Sequence, residues 1–127
     1  MKKLLFQLDT DTIANTFDTV VAYDGGADQV TVHGGITPKA VGKMVDGVIF
    51  TRAPSKKKNS AIFITGSDMR EGQEVLDAVR NHFFDDFRVS VMLDSNGSNT
   101  TAAAAVAFAR KHMDLKGKKA VILAGTG

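Results

Sequence analysis

Hydrophobic and polar positions along the chain follow two periods, and the alternation between them predicts the elements. Lys3–Leu8 is a short apolar run and reads as a first strand, buried on both faces. Asp9-Thr10-Asp11-Thr12 supplies turn and cap residues, after which Ile13, Phe17, Val20 and Val21 recur at helical spacing. Tyr23-Asp24-Gly25-Gly26-Ala27-Asp28 ends that helix, with glycines suited to a left-handed cap. Gln29–His33 alternates and is rich in β-branched residues, as in a half-exposed strand. Thr37-Pro38 predicts a helix start, with Val41, Met44, Val45 and Val48 as its apolar stripe and Ile49-Phe50-Thr51 as a brief extended piece after it. Ser60–Thr65 reads as a second buried strand. Asp68 caps a helix, with Glu71 at capping-box spacing and a core stripe of Val75, Leu76, Val79 and Phe83; Phe84 also reads as core. Phe87–Leu93 is a third buried strand, a helix runs from about Thr100 to Met113, and Lys119–Ala124 is a last strand. Strands alternating with helices predict an α/β fold, a three-layer α/β/α domain with a mainly parallel sheet.

Composition changes this picture little. The 127 residues suffice for one domain with a real core, and 43% hydrophobic with 24% charged residues is ordinary for a globular protein. A net charge of +2 gives no basic face for nucleic acid; the one basic run, Lys56-Lys57-Lys58, reads as a solvated loop. Without cysteine there is no disulfide framework or thiolate site, which fits a reducing cytoplasm. Met1–Phe6 is too short an apolar start for a signal peptide, and no run approaches the roughly 20 apolar residues of a membrane span. Asp24 with Asp28 lacks the ligand alternation of a calcium loop, so no metal is expected. His33, His82 and His112 are scattered and read as surface or helix-end residues. No paired carboxylates or nucleophile–base arrangement appears, so proton-transfer and covalent mechanisms gain no support.

One stretch stands out. Between the third buried strand and the alanine-rich helix, seven of the eight residues from Asp94 to Thr101 carry polar side chains. In α/β proteins ligands bind in the crevice beyond the carboxyl ends of the strands. Helix caps explain part of this stretch, and a ligand site with open backbone N–H groups at the helix start explains the whole. Tyr23-Asp24-Gly25-Gly26 is either a plain turn or a second wall of the same cleft. Phe17, taken by spacing alone, reads as core. Gly125-Thr126-Gly127 follows an apolar strand, as a dinucleotide fingerprint begins, but the third glycine and the later acidic residue are not in the sequence; spacing leaves it open between a glycine-rich tail and the start of a nucleotide domain.

Four segments together carry a resemblance: Leu4–Asp11, Val20–Asp28, Met92–Ala104 with its DSNGSNTTAAA run, and Gly117–Gly127. They closely resemble the NAD(P)-dependent methylene-tetrahydromethanopterin dehydrogenases of methylotrophic bacteria, over essentially the whole chain. The resemblance implies an oxidoreductase of two domains, related in architecture to methylene-tetrahydrofolate dehydrogenases. Residues 1–116 would be its pterin-binding domain, and residues 117–127 the first strand and Gly-x-Gly of a truncated Rossmann domain. The implied reaction moves a hydride from the methylene carbon of the reduced pterin, tetrahydromethanopterin or tetrahydrofolate, to NADP or NAD. By the same resemblance Asp94, Asn96, Ser98, Asn99, Thr100 and Thr101 orient the pterin, Phe17 and Tyr23 offer aromatic surface, Thr101 and Asp94 act nearest the chemistry, and Gly125, Thr126 and Gly127 touch the nucleotide. The implied partners are a small-molecule pterin and further copies of the chain in a homo-oligomer, with neither nucleic acid nor membrane. This chain alone is expected to be inactive. A free-standing, non-catalytic pterin-binding or oligomerisation module is the competing expectation, and the substrate domain of another dehydrogenase of the same plan is a third.

Overall fold

The computed structural model describes residues 1–123. Four parallel strands form one sheet: β1 (Leu4–Asp9), β2 (Gln29–His33), β3 (Ser60–Thr65) and β4 (Ser90–Leu93), in the order β2-β1-β3-β4. Helices α1 (Thr16–Asp24), α2 (Val41–Phe50) and α3 (Met69–Asn81) connect them, and α4 (Ser98–His112) follows β4. The chain first steps from β1 outward to β2, then reverses across β1 to β3 and β4. Right-handed crossovers therefore put α1 on one face of the sheet and α2 and α3 on the other, which confirms the α/β fold with helices on both faces.

The face under α2 and α3 is the dry one. Leu8, Ile62 and Ile64 from the strands meet Val41, Val45, Val48 and Ile49 of α2 and Val75, Leu76 and Val79 of α3, all buried. Each such side chain contributes about 1.5–3 kcal/mol when withdrawn from water. Asp68 caps α3 as its spacing predicts, its carboxylate accepting from the N–H groups of Arg70 (2.7 Å) and Glu71 (2.9 Å). Those two bonds hold its pKa below the usual carboxylate value.

Several elements differ from the sequence reading. α1 begins at Thr16 with Asn15 as its cap, so Ile13 lies outside the helix and is exposed. Thr37 caps only a single turn, and α2 proper starts at Val41 and runs through Ile49 and Phe50, which are helical rather than extended. The β4 strand is shorter than 87–93 and lies at the sheet edge, half-exposed rather than buried, because Phe84 and Phe87 pair in a separate bridge before it. Lys57 is buried rather than solvated: Pro54–Asn59 winds into a 3-10 turn, and the Lys57 ammonium stands 3.6 Å from the Phe87 ring centroid and donates to the Asp86 carbonyl at 3.3 Å. Phe84 is half-exposed, stacked on Phe87 at 5.1 Å rather than sunk in the core. Gly25 has helical backbone, and Gly26 alone takes the left-handed turn. No strand forms over 119–123; Val121, Ile122 and Leu123 are exposed, and a strand needs a neighbour to pair with. Ala124, Gly125, Thr126 and Gly127 lie outside the described residues.

Candidate functional site

Three strands deliver polar groups to one end of the sheet. β1 ends at Asp9, β3 at Thr65, and β4 runs into Asp94. After Asp94 the chain makes a tight turn, Ser95–Gly97, in which Asn96 and Gly97 both take left-handed backbone (φ 54° and 64°). Asn and Gly are the residues that tolerate this conformation. The turn is pinned to β3 by the Asn96 N–H, which donates to the Gly66 carbonyl at 2.7 Å. It is seated on α3 because Gly72 has no side chain: a Cβ there would fall 2.0 Å from Ser95 Oγ and 2.9 Å from Leu93 Cδ1. Ser95 itself is buried, and its hydroxyl has no hydrogen-bond partner among the described residues.

The polar residues of this stretch divide into two groups. Asp94 is buried and engaged: Oδ1 accepts from the N–H groups of Asn99 (2.8 Å) and Thr100 (2.9 Å), and Oδ2 from the Thr100 hydroxyl (2.5 Å). Ser98 Oγ donates to the Ser95 carbonyl at 2.8 Å, and Asn99 Nδ2 to the Leu93 carbonyl at 2.6 Å. The expected open N–H groups at the start of α4 are therefore occupied by Asp94, and no anion hole remains there. Asn96 and Thr101 form the other group. Both are exposed, and their side chains make no hydrogen bond among the described residues.

The first turn of α1 comes to the same end of the sheet. Asp9 is fully buried; Oδ1 accepts from the Asp11 N–H and Oδ2 from the Asn15 N–H, each at 2.9 Å. Thr65 Oγ1 donates to Asp9 Oδ2 at 2.8 Å. Gln7, also fully buried, donates from Nε2 to the Asn15 carbonyl (3.2 Å) and Thr65 Oγ1 (3.4 Å), and its Oε1 accepts from the Thr19 hydroxyl at 2.7 Å. Asn15 Oδ1 in turn caps α1 through the Phe17 N–H at 2.9 Å. Phe17 projects from this turn 71% exposed, so it is not core. Beside it, burial first and then the charges of Asp9 and Asp94 push the Asp18 pKa above its ordinary value. Sequence reasoning passed over Gln7, Asp9, Asp18 and Thr65. A glutamine inside an apolar strand was the available signal, since a buried amide has to find partners.

Other predicted residues lie elsewhere. Tyr23 sits six residues beyond Phe17, about 9 Å along the helix axis, and its hydroxyl accepts from the Val30 N–H at 3.4 Å, near the start of β2. It is thus at the opposite end of α1 from the Asp94 turn. Asp28 accepts from the Lys3 N–H at 2.6 Å, as a turn residue does. Among the described residues no group of three or more His, Asp or Glu is placed to hold a metal ion, and no helix is long and apolar enough to cross a membrane.

Comparison with known proteins adds a family. Residues 16–96 match the model of the methylene-tetrahydromethanopterin dehydrogenase N-terminal domain, a span that takes in α1, β2, β3 and β4 and reaches into the turn after β4. The chain is 59% identical over 127 residues to the bifunctional protein MdtA of Methylorubrum extorquens, covering 98% of this chain and 44% of that protein. It is 34% identical over 117 residues to the NAD(P)-dependent methylenetetrahydromethanopterin dehydrogenase of the same organism, covering 87% of this chain and 39% of the other. The chain thus spans less than half the length of either curated relative.

Proposed function

Since the chain belongs to the methylene-tetrahydromethanopterin dehydrogenase N-terminal family, we propose that it forms the pterin-binding wall of an enzyme moving a hydride between methylene-tetrahydromethanopterin and NADP or NAD. The observation that carries this reading is an exposed phenyl ring, Phe17, set beside carboxylates at the carboxyl end of a parallel sheet. A flat reduced pterin needs an aromatic face to lie on and polar groups at its edge. Phe17 supplies the face. Asn96 and Thr101, whose side chains are not used by the fold, supply the edge, with Asp94, Ser98, Asn99 and Thr100 holding them in place.

In that reaction a hydride would leave the methylene carbon with its electron pair, giving a methenyl cation, and a bound nicotinamide would supply the acceptor. Nucleotide contact falls to Gly125, Thr126 and Gly127, outside the described residues, and to the nucleotide domain that the reading implies. The work of this chain is positioning and electrostatics. Asp18 and Asp94 face the developing positive charge. A carboxylate 4 Å from a unit cation contributes about 4 kcal/mol at an effective dielectric near 20, against about 1 kcal/mol in bulk water. Asp18 ionises reluctantly, first because it is partly withdrawn from water and then because of the charges of Asp9 and Asp94, so a cation there is welcome. Tyr23 supports the helix from its far end.

The test is hydride transfer by the full-length protein from methylene-tetrahydromethanopterin to either nucleotide, with calorimetric titration of the pterin. Thr101→Val should lower kcat/KM by about tenfold, the loss of one hydrogen bond made in the transition state, and leave the melting temperature unchanged. No turnover and no pterin binding at high micromolar concentration would overturn the reading. Wild-type kinetics in Thr101→Val would remove Thr101 from the site.

A further inference from the structure

The first turn of α1 is held by polar bonds rather than by packing. Ala22 is the one buried residue of the helix, while Phe17, Val20, Val21 and Tyr23 are all substantially exposed. Apolar contact therefore fixes little of its position. The fixed points at its amino end are hydrogen bonds to fully buried groups: Thr19 to Gln7, Gln7 to the Asn15 carbonyl, and the Asn15 N–H to Asp9. Thr65, on the neighbouring strand, joins the two halves, its hydroxyl lying 2.8 Å from Asp9 Oδ2 and 3.4 Å from Gln7 Nε2. The set crosses from α1 through β1 to β3, linking residues up to 58 positions apart.

We infer that Gln7, Asp9 and Thr65 are positioning residues for the pterin: they touch no ligand, and they set where Phe17 and Asp18 stand. The inference rests on the pterin reading above. Low-dielectric networks of this kind, fully partnered, define one geometry. Removing a member leaves the helix attached but free to settle elsewhere, and a shift of one ångström at a binding wall is costly.

The experiment compares Thr65→Val with Thr65→Ser in the full-length enzyme. Valine keeps the shape and loses the bridging hydroxyl; serine keeps the hydroxyl. In Thr65→Val the KM for methylene-tetrahydromethanopterin should rise about fivefold, the effect of one misplaced contact, while the KM for the nucleotide stays unchanged. Serine should restore the pterin KM to within about twofold of wild type on the same hydrogen-bond scale. A purely structural role would reduce the yield of active enzyme and the melting temperature and leave the pterin KM of the surviving fraction unmoved; that result overturns the inference. An equal rise in Thr65→Ser also overturns it, since the hydroxyl would then be irrelevant. Wild-type enzyme is the control for the underlying reading: if it fails to turn over the pterin, the pterin reading falls, and with it the inference, whereas active wild type with an unchanged Thr65→Val refutes this inference alone.

Discussion

The two faces of the sheet are held by different physics. Under α2 and α3 the contacts are apolar and close, and ten side chains from two strands and two helices are buried together. Under α1 the same strands present Gln7, Asp9 and Thr65, buried but hydrogen-bonded, and further along an open groove of about 490 Å³ lined by residues such as Leu5, Ala61 and Met92. Apolar packing is tolerant of detail and supplies stability. Polar wiring supplies little net stability and fixes geometry. The molecule keeps its scaffold on one side and its site on the other, so substitutions on the two faces should fail in different ways.

The largest effect is expected from Ile64→Ala on the dry face. A fully buried isoleucine cut to alanine costs about 2–5 kcal/mol, enough to leave a small domain mostly unfolded in a denaturant titration. A result below about 1 kcal/mol would mean that this face is loosely packed and the contrast is wrong. Next is Gly72→Ala, where the two faces meet through Ser95. The added methyl group collides with Ser95 Oγ and should lower the melting temperature by several degrees, as about 1–3 kcal/mol of overpacking does. Adding Ser95→Ala should recover most of the loss, because the hydroxyl removed has no partner among the described residues. Failure of the double variant to recover would show that the turn is seated by something other than this contact.

The smallest effect is at Asp18. Its folded pKa lies above the unfolded value of 3.8, so the fold favours the protonated form. That favour is fully present below pH 3.8 and is lost as pH rises through the folded pKa; at neutral pH the ionised group is a net cost. Asp18→Asn should therefore melt slightly higher than wild type at pH 7, with the gap closing in acid. The group is partly exposed, so screening keeps the gap small. A lower melting temperature at pH 7 would show that Asp18 is stabilised by a partner. In the full-length enzyme the same substitution should reduce kcat/KM, a trade between stability and the cationic product.

Much of the dry face was legible in the sequence. The spacing of Val41, Val45 and Val48 and of Val75, Leu76 and Val79 marks helix faces, and the Asp68 cap is local, as its partners lie two and three residues on. The turn from Asp94 to Thr101 was legible as a cluster, but not its division of labour. Which residues cap and which stay open depends on how the turn folds back, with Asp94 reaching Thr100 and Asn96 reaching Gly66. The polar network was not legible, because Gln7 and Thr65 meet only once β1 and β3 are paired. A carboxylate of that network explains the misplaced start of α1: Asp9 ties down the N–H groups of Asp11 and Asn15, so the segment that Ile13 appeared to open as helix is a loop instead. Lys57 misled for a related reason, since its ring partner is thirty residues away in sequence.

The strand order also governs how the chain comes off the ribosome. β1 is made first yet lies second in the sheet, between β2 and β3. One side of it is satisfied when residues 29–33 emerge, while the other stays open until Ser60–Thr65 arrives. At about 5–20 residues per second, a nascent strand carrying Leu4, Leu5, Phe6 and Leu8 waits seconds with an unpaired edge. During that wait it is a template for any other extended chain, so chaperone dependence and yield at raised translation rates should track changes in β1 more closely than changes in the edge strand β4.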